Sequence, residues 1–91
     1  MQKRLHAIVS GNVKGVGFRY FALYWAEQLH LYGFARNIEG ENVEIVAEGE
    51  EQRLKELLEK LNQGPSSAAV KKVSVEWLEA RNEFSSFEII H

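Results

Sequence analysis

The sequence predicts an α+β sandwich: an antiparallel sheet with two helices on one face and a short extra strand at the C-terminus. Three observations carry this. Short β-branched or alternating runs recur along the 91 residues. Two intervening segments carry apolar residues at helical spacing. The runs and segments follow one another as β-α-β-β-α-β, an order that places both helices on one face of an antiparallel sheet.

Each element has its own signal. "HAIVSGNV" (6–13) is short, β-branched and bounded by glycine, which reads as a strand. From Phe18 to about Leu31, Phe18, Ala22, Trp25, Ala26 and Leu29 share a helical face, and Gly33 is the expected stop. "GFARNI" (33–38) and "VEIVAE" (43–48) are strands joined by the turn chemistry of "EGEN", a hairpin. In the second of these Val43, Ile45 and Ala47 face one way and Glu44 and Glu48 the other. Leu54, Leu57, Leu58 and Leu61 make a second amphipathic helix, closed by "NQGP". "VKKVSVEWLEA" alternates Val73, Val75 and Trp77 inward against Ser74 and Glu76, and "FSSFEII" supplies the last strand. Phe18, Trp25, the leucine stripe and Trp77 are expected in the core, and Lys71 and Lys72 on a solvated edge. This ferredoxin-like order makes one domain over 1–91 and hosts many unrelated functions, so function must come from a site.

Composition narrows the choices. There is no Cys, which excludes disulfides, thiolate metal sites and a Cys nucleophile. Asp is absent too, so a carboxylate cluster would have to be built from Glu alone. His6, His30 and His91 have no metal-like spacing, and no metal or cofactor is expected. No apolar run approaches the roughly 18 residues of a membrane span, and no signal peptide opens the sequence, so the expected setting is cytoplasmic, with no membrane partner. A monomer is expected. Net charge is −2, which does not suggest nucleic acid. Yet residues 1–26 hold Lys3, Arg4, Lys14 and Arg19 and no acid. That local excess favours a small anion over a polyanion.

The positive segment contains "SGNVKGVGFRY" (10–20), with glycines at 11, 15 and 17. A glycine-rich turn from strand to helix presents backbone N–H groups to an anion. A dinucleotide fingerprint would need Gly where Tyr20 stands, and a Walker loop would need Gly-Lys-Ser/Thr after Gly17. "KGVGFRYF" matches an RNA-recognition pattern at Lys14, Gly15, Gly17, Phe18 and Phe21. Val16 removes one stacking ring, however, and the match falls between the first strand and the first helix instead of on a central strand. RNA binding is rejected on those grounds.

"GNVKGVGFRYF" followed by "GFARN" resembles the acylphosphatases, small ferredoxin-like enzymes that hydrolyse carboxyl-phosphate mixed anhydrides. The similarity continues through "VEIVAEG", "GPSSAAVKKV" and "FEI", nearly the whole sequence in order. Lys14 stands where Gln is usual, Phe34 where Trp is common, and "IEGEN" replaces an Asp-Gly turn. The resemblance implies a phosphate-binding loop formed by Lys14, Gly15, Val16, Gly17, Phe18 and Arg19, with an acyl phosphate as substrate and phosphate or another small anion held in the loop. It assigns substrate binding to Arg19, whose guanidinium can grip phosphate with two parallel bonds. It assigns orientation of the attacking water to Asn37, whose amide accepts and donates hydrogen bonds but is no general base at neutral pH. Arg36 is expected to point away from Asn37, because strand side chains alternate. The rival reading is a binding module that holds such an anion without turnover.

Overall fold

The computed structural model describes residues 1–15 and 17–91. Seven elements follow one another: β1 (Gln2–Asn12), α1 (Phe18–Gln28), β2 (Tyr32–Ile38), β3 (Asn42–Glu50), α2 (Glu51–Gln63), β4 (Ala69–Glu79) and β5 (Phe87–Ile90). The strands form one sheet in the order β4-β1-β3-β2-β5. The first four pair antiparallel, and β5 adds alongside β2 in parallel, so the completed sheet is mixed. No helix among the described residues is long and apolar enough to cross a membrane.

Strand alternation decides which side chains meet the helices. Leu5, Ala7 and Val9 of β1 stand opposite Ala47, Ile45 and Val43 of β3, and all six are fully buried. From the helices, Phe18, Ala22 and Ala26 of α1 and Leu54, Leu57 and Leu61 of α2 close on that layer. Val73, Val75 and Trp77 of β4 belong to the same face by register, as the alternation predicts. Val73 packs against the core, but Val75 is 38% and Trp77 40% exposed, because β4 is the outermost strand and the helices cover only part of it.

The stop of α1 also differs from expectation. The helix ends at Gln28, and His30, not Gly33, takes the left-handed conformation at φ 55°. The N–H of Leu31 then donates to the Ala26 carbonyl and that of His30 to Glu27, which satisfies the last carbonyls of the helix. Gly33 lies inside β2, where a Cβ would sit 1.9 Å from the Val46 carbonyl oxygen. Glycine is needed there for close approach of the backbones.

The helix-free face of the sheet holds the charges. The Glu48 carboxylate is buried and accepts the backbone N–H of Arg81 at 2.7 Å, that of Asn82 at 3.0 Å, and Nη1 of buried Arg4 at 3.3 Å. Arg4 also reaches Glu83 at 2.6 Å and lies over the Phe84 ring. Phe84 in turn packs on Phe34 of β2. Segment 80–86, which must carry the backbone from β4 at one edge to β5 at the other, is fastened to the sheet by these contacts. Further along, Glu44 accepts from Arg36 and pairs with Nε2 of His6 at 2.8 Å. Partial burial pushes the Glu44 carboxyl up, but the bonds from His6 and Arg36 outweigh that and hold it below its ordinary value.

Two outcomes follow for stability. Glu48→Ala leaves two backbone N–H groups and a buried guanidinium without their acceptor, and should cost about 3 kcal/mol in urea unfolding. Glu48→Gln, which keeps an acceptor, should cost less. Glu44 has a depressed folded-state pKa, so its contribution is present above the ordinary carboxylate range and is lost as pH falls through the lowered value. The stability gap between the wild type and Glu44→Gln should therefore shrink as unfolding is measured from pH 7 down to about pH 3.

Candidate active site

The loop between β1 and α1 is shaped by two left-handed glycines, Gly15 at φ 72° and Gly17 at φ 77°. A Cβ on either would meet nothing within 4 Å, so what demands glycine here is the backbone angle and not space. Gly17 caps α1 without a side-chain hydrogen bond, and the first turn of the helix contains no acid. The N–H groups of Gly15, Gly17, Phe18 and Arg19 meet no acceptor among the described residues. They lie at the positive end of the helix dipole, where an anion is favoured. Val16 lies outside the described residues. Phe18 offers only its backbone, since its ring is buried in the core.

The side chains expected around this loop are brought to it from three directions. Lys14 donates from Nζ to the Ile38 carbonyl, which ties the loop to the end of β2. Arg19, in the first turn of α1, lies 3.4 Å from the Ile90 carbonyl oxygen and 3.4 Å from Nδ1 of His91. Ile90 stands beside Arg36 in the parallel β2–β5 register, one residue from Asn37. Asn37 is exposed and shares strand parity with buried Ala35, so its side chain projects on the helix side of the sheet, beyond the end of the core. Arg19 and Asn37 thus occupy the same end and the same side of the sheet. Among the described residues nothing hydrogen-bonds the Asn37 carboxamide. Arg36 points to the other face, held by Glu44 and lying over the Phe34 ring.

The contacts of Arg19 with Ile90 and His91 have no counterpart in the sequence reading. They depend on β5 docking in parallel against β2, which no local spacing announces. Two hollows of about 310 and 380 Å³ lie away from the site, the first between the helices at Trp25 and Lys60, the second at the far end of the sheet beside Glu48. The described residues include no group of three or more His, Asp or Glu that could hold a metal ion.

Fold and loop together define a small ferredoxin-like α+β domain with a positively polarised backbone loop at one end of its sheet. The family model for acylphosphatase matches residues 5–89. An acylphosphatase of Moorella thermoacetica is 48% identical over 80 residues, covering 88% of this chain and 86% of that one. The crystal structure of acylphosphatase from Bacillus subtilis superposes with a TM-score of 0.94 at 34% identity, each chain covered completely. Full-length HypF in its phosphate- and nucleotide-bound form contains a region of the same shape, with a TM-score of 0.91 and 26% identity, spanning 12% of that chain. The chain belongs to the acylphosphatase family, a family of hydrolases.

The glycines at the site and in the sheet should respond differently to substitution. Gly15→Ala and Gly17→Ala introduce only an unfavourable backbone angle, at about 1–2 kcal/mol each. Gly33→Ala forces a carbon into a carbonyl oxygen and should cost clearly more, read from urea midpoints of the three variants.

Proposed function

We propose that the protein hydrolyses the carboxyl–phosphate bond of acyl phosphates, releasing a carboxylate and inorganic phosphate, without a metal. The observation that carries this reading is that loop N–H groups with no acceptor among the described residues, Arg19 and Asn37 lie at one end and one side of the sheet. The phosphoryl oxygens sit among the N–H groups of Gly15, Gly17, Phe18 and Arg19, with Lys14 in the same loop. The Arg19 guanidinium binds the same group through two parallel bonds and takes up charge as it develops. Asn37 accepts a hydrogen bond from a water and aims its oxygen in line with the bond to be broken. The new O–P bond forms as the acyl O–P bond breaks. Its electron pair leaves on the carboxylate, a good leaving group, and the water proton passes to a phosphate oxygen.

The substrate is a small-molecule acyl phosphate, inorganic phosphate or another small anion occupies the loop between turnovers, and the setting is cytoplasmic, without nucleic acid or membrane. The catalytic groups all come from one chain. The likeness to part of HypF keeps a second reading in view, a module that holds the anion without turning it over. Incubation with benzoyl phosphate and a chelator separates them. Saturable phosphate release supports the hydrolase, and tight phosphate binding without turnover supports the module.

Substitutions assign the roles. Arg19→Ala should lose substrate binding and rate together, and Arg19→Lys should recover little, since a point charge lacks the forked geometry. Asn37→Ala should lower kcat by a factor of about 10²–10³ while phosphate affinity changes far less. The reverse pattern would remove its water-orienting role.

A further inference from the structure

β2 is held unevenly along its length. From Gly33 to Arg36 it lies between β3 and β5, but the β5 register stops where Ile90 stands beside Arg36. Asn37 and Ile38 are paired by β3 alone among the described strands. The hairpin turn follows at once, with Gly40 in the left-handed region and the Asn42 amide donating to the Glu39 carbonyl at 3.2 Å. Exposed Asn37 therefore stands on the less supported end of its strand. A side chain that must orient a water needs its backbone fixed.

The residues on either side of Asn37 are each tied by a cation. Arg36 is bonded to Glu44, which stands opposite it in the β2–β3 register, so this bond moves with the hairpin. The bond from Lys14 Nζ to the Ile38 carbonyl is different in kind. It joins the hairpin to the loop between β1 and α1, whose N–H groups await an anion. The lysine is rooted next to buried Val13, so its stem starts from a fixed point. An ammonium donating to a carbonyl makes a charge-assisted bond, stronger than a neutral one. We propose that Lys14 is a positioning residue: through Ile38 it sets the distance between the loop and Asn37, and so the aim of the attacking water. This rests on the water-orienting role given to Asn37 above. The grip on the phosphoryl group comes from the loop N–H groups and Arg19, and the lysine side chain acts on the reaction through Asn37.

Steady-state hydrolysis of benzoyl phosphate, with inorganic phosphate as competitive inhibitor, separates aim from grip. Lys14→Met keeps the length of the stem but has no donor. It should lower kcat at least about tenfold, since misplacing a reacting group by about 1 Å can cost about 10²-fold. The inhibition constant of phosphate should change by less than about threefold. Lys14→Arg, which can still donate to the carbonyl, should recover most of kcat. Lys14→Gln, a neutral and shorter donor, should fall between them, and carries the comparison if urea unfolding shows that Lys14→Met is not folded. In an Asn37→Ala background the same Lys14 change should lower kcat by less than about twofold, because nothing remains to be aimed. A phosphate constant that rises while kcat stands overturns the proposal and makes the ammonium a ligand of the anion. Equal losses of kcat with and without Asn37 overturn it as well. A second readout is independent of turnover. In nitrogen–proton correlation spectra of the phosphate-saturated protein, the Asn37 side-chain amide signal should move in Lys14→Met and keep its place in Lys14→Arg. Absence of benzoyl phosphate hydrolysis by the wild type would strike the hydrolase reading, whereas an Asn37 signal unmoved by Lys14→Met strikes the tie.

Discussion

The Glu48 carboxylate is the contact on which the rest of the architecture hangs. The backbone leaves β4 at one edge of the sheet and must return at the other to form β5, and a segment making that crossing has few apolar side chains to anchor it. Glu48 anchors it by its main chain, accepting consecutive N–H groups from Arg81 and Asn82 while Arg4 balances its charge. The left-handed angle of Asn82 follows from this arrangement, since successive N–H groups converge on one anion only when the backbone curls. With the crossing fixed, Phe87 reaches the core and β5 meets β2 in register. That register brings the Ile90 carbonyl and His91 to Arg19. A buried ionic contact at one end of the sandwich therefore determines what surrounds a guanidinium at the other.

The two ends divide the work. The Glu48 end is built of charges already satisfied by one another, so it binds the structure to itself. The Arg19 end is built of donors that meet no acceptor among the described residues: loop N–H groups, a helix terminus with no acid in its first turn, and a carboxamide that no described residue hydrogen-bonds. Polar groups left open at a surface cost little while water reaches them, and they are available to an anion that displaces that water. Burying the same donors would cost far more. A Cβ on either glycine of the loop, Gly15 or Gly17, would meet nothing within 4 Å.

Much of this was legible in the sequence, for reasons that differ by element. The strands of the hairpin and the leucine stripe of α2 declare themselves because period and burial coincide there: every Leu54-type position meets the core. The left-handed bend of the loop was legible through the spacing of Gly15 and Gly17, whereas the roles proposed for the loop and for Asn37 rest on the resemblance. Other features follow from tertiary context. Alternation correctly gives the face of Trp77, but not its exposure, which depends on β4 being outermost. Gly33 looks like a helix stop because glycine usually is one, yet the β2–β3 contact claims it, and His30 accepts the strained angle in its place. Glu48 reads as a solvent-facing residue of an alternating strand. Its burial is created by a segment more than thirty residues further on in sequence.

The weakness of the contacts made by Arg19 is consistent with the proposed reaction. At 3.4 Å from a carbonyl oxygen and an imidazole nitrogen, its guanidinium is steered more than held. Neither the Ile90 carbonyl oxygen nor the His91 ring nitrogen carries a full negative charge, so a phosphoryl group offers better partners, with shorter charge-assisted bonds in the forked geometry that arginine provides. Exchange of one set for the other costs little. A carboxylate in place of Ile90 and His91 would bind the guanidinium so well that substrate would have to compete with it, and a wholly free side chain would lose rotamer entropy when substrate arrived. Slightly distant contacts with a carbonyl oxygen and a ring nitrogen lie between these extremes. In the proposed reaction such contacts keep the guanidinium near the loop and leave it exchangeable for a stronger anion.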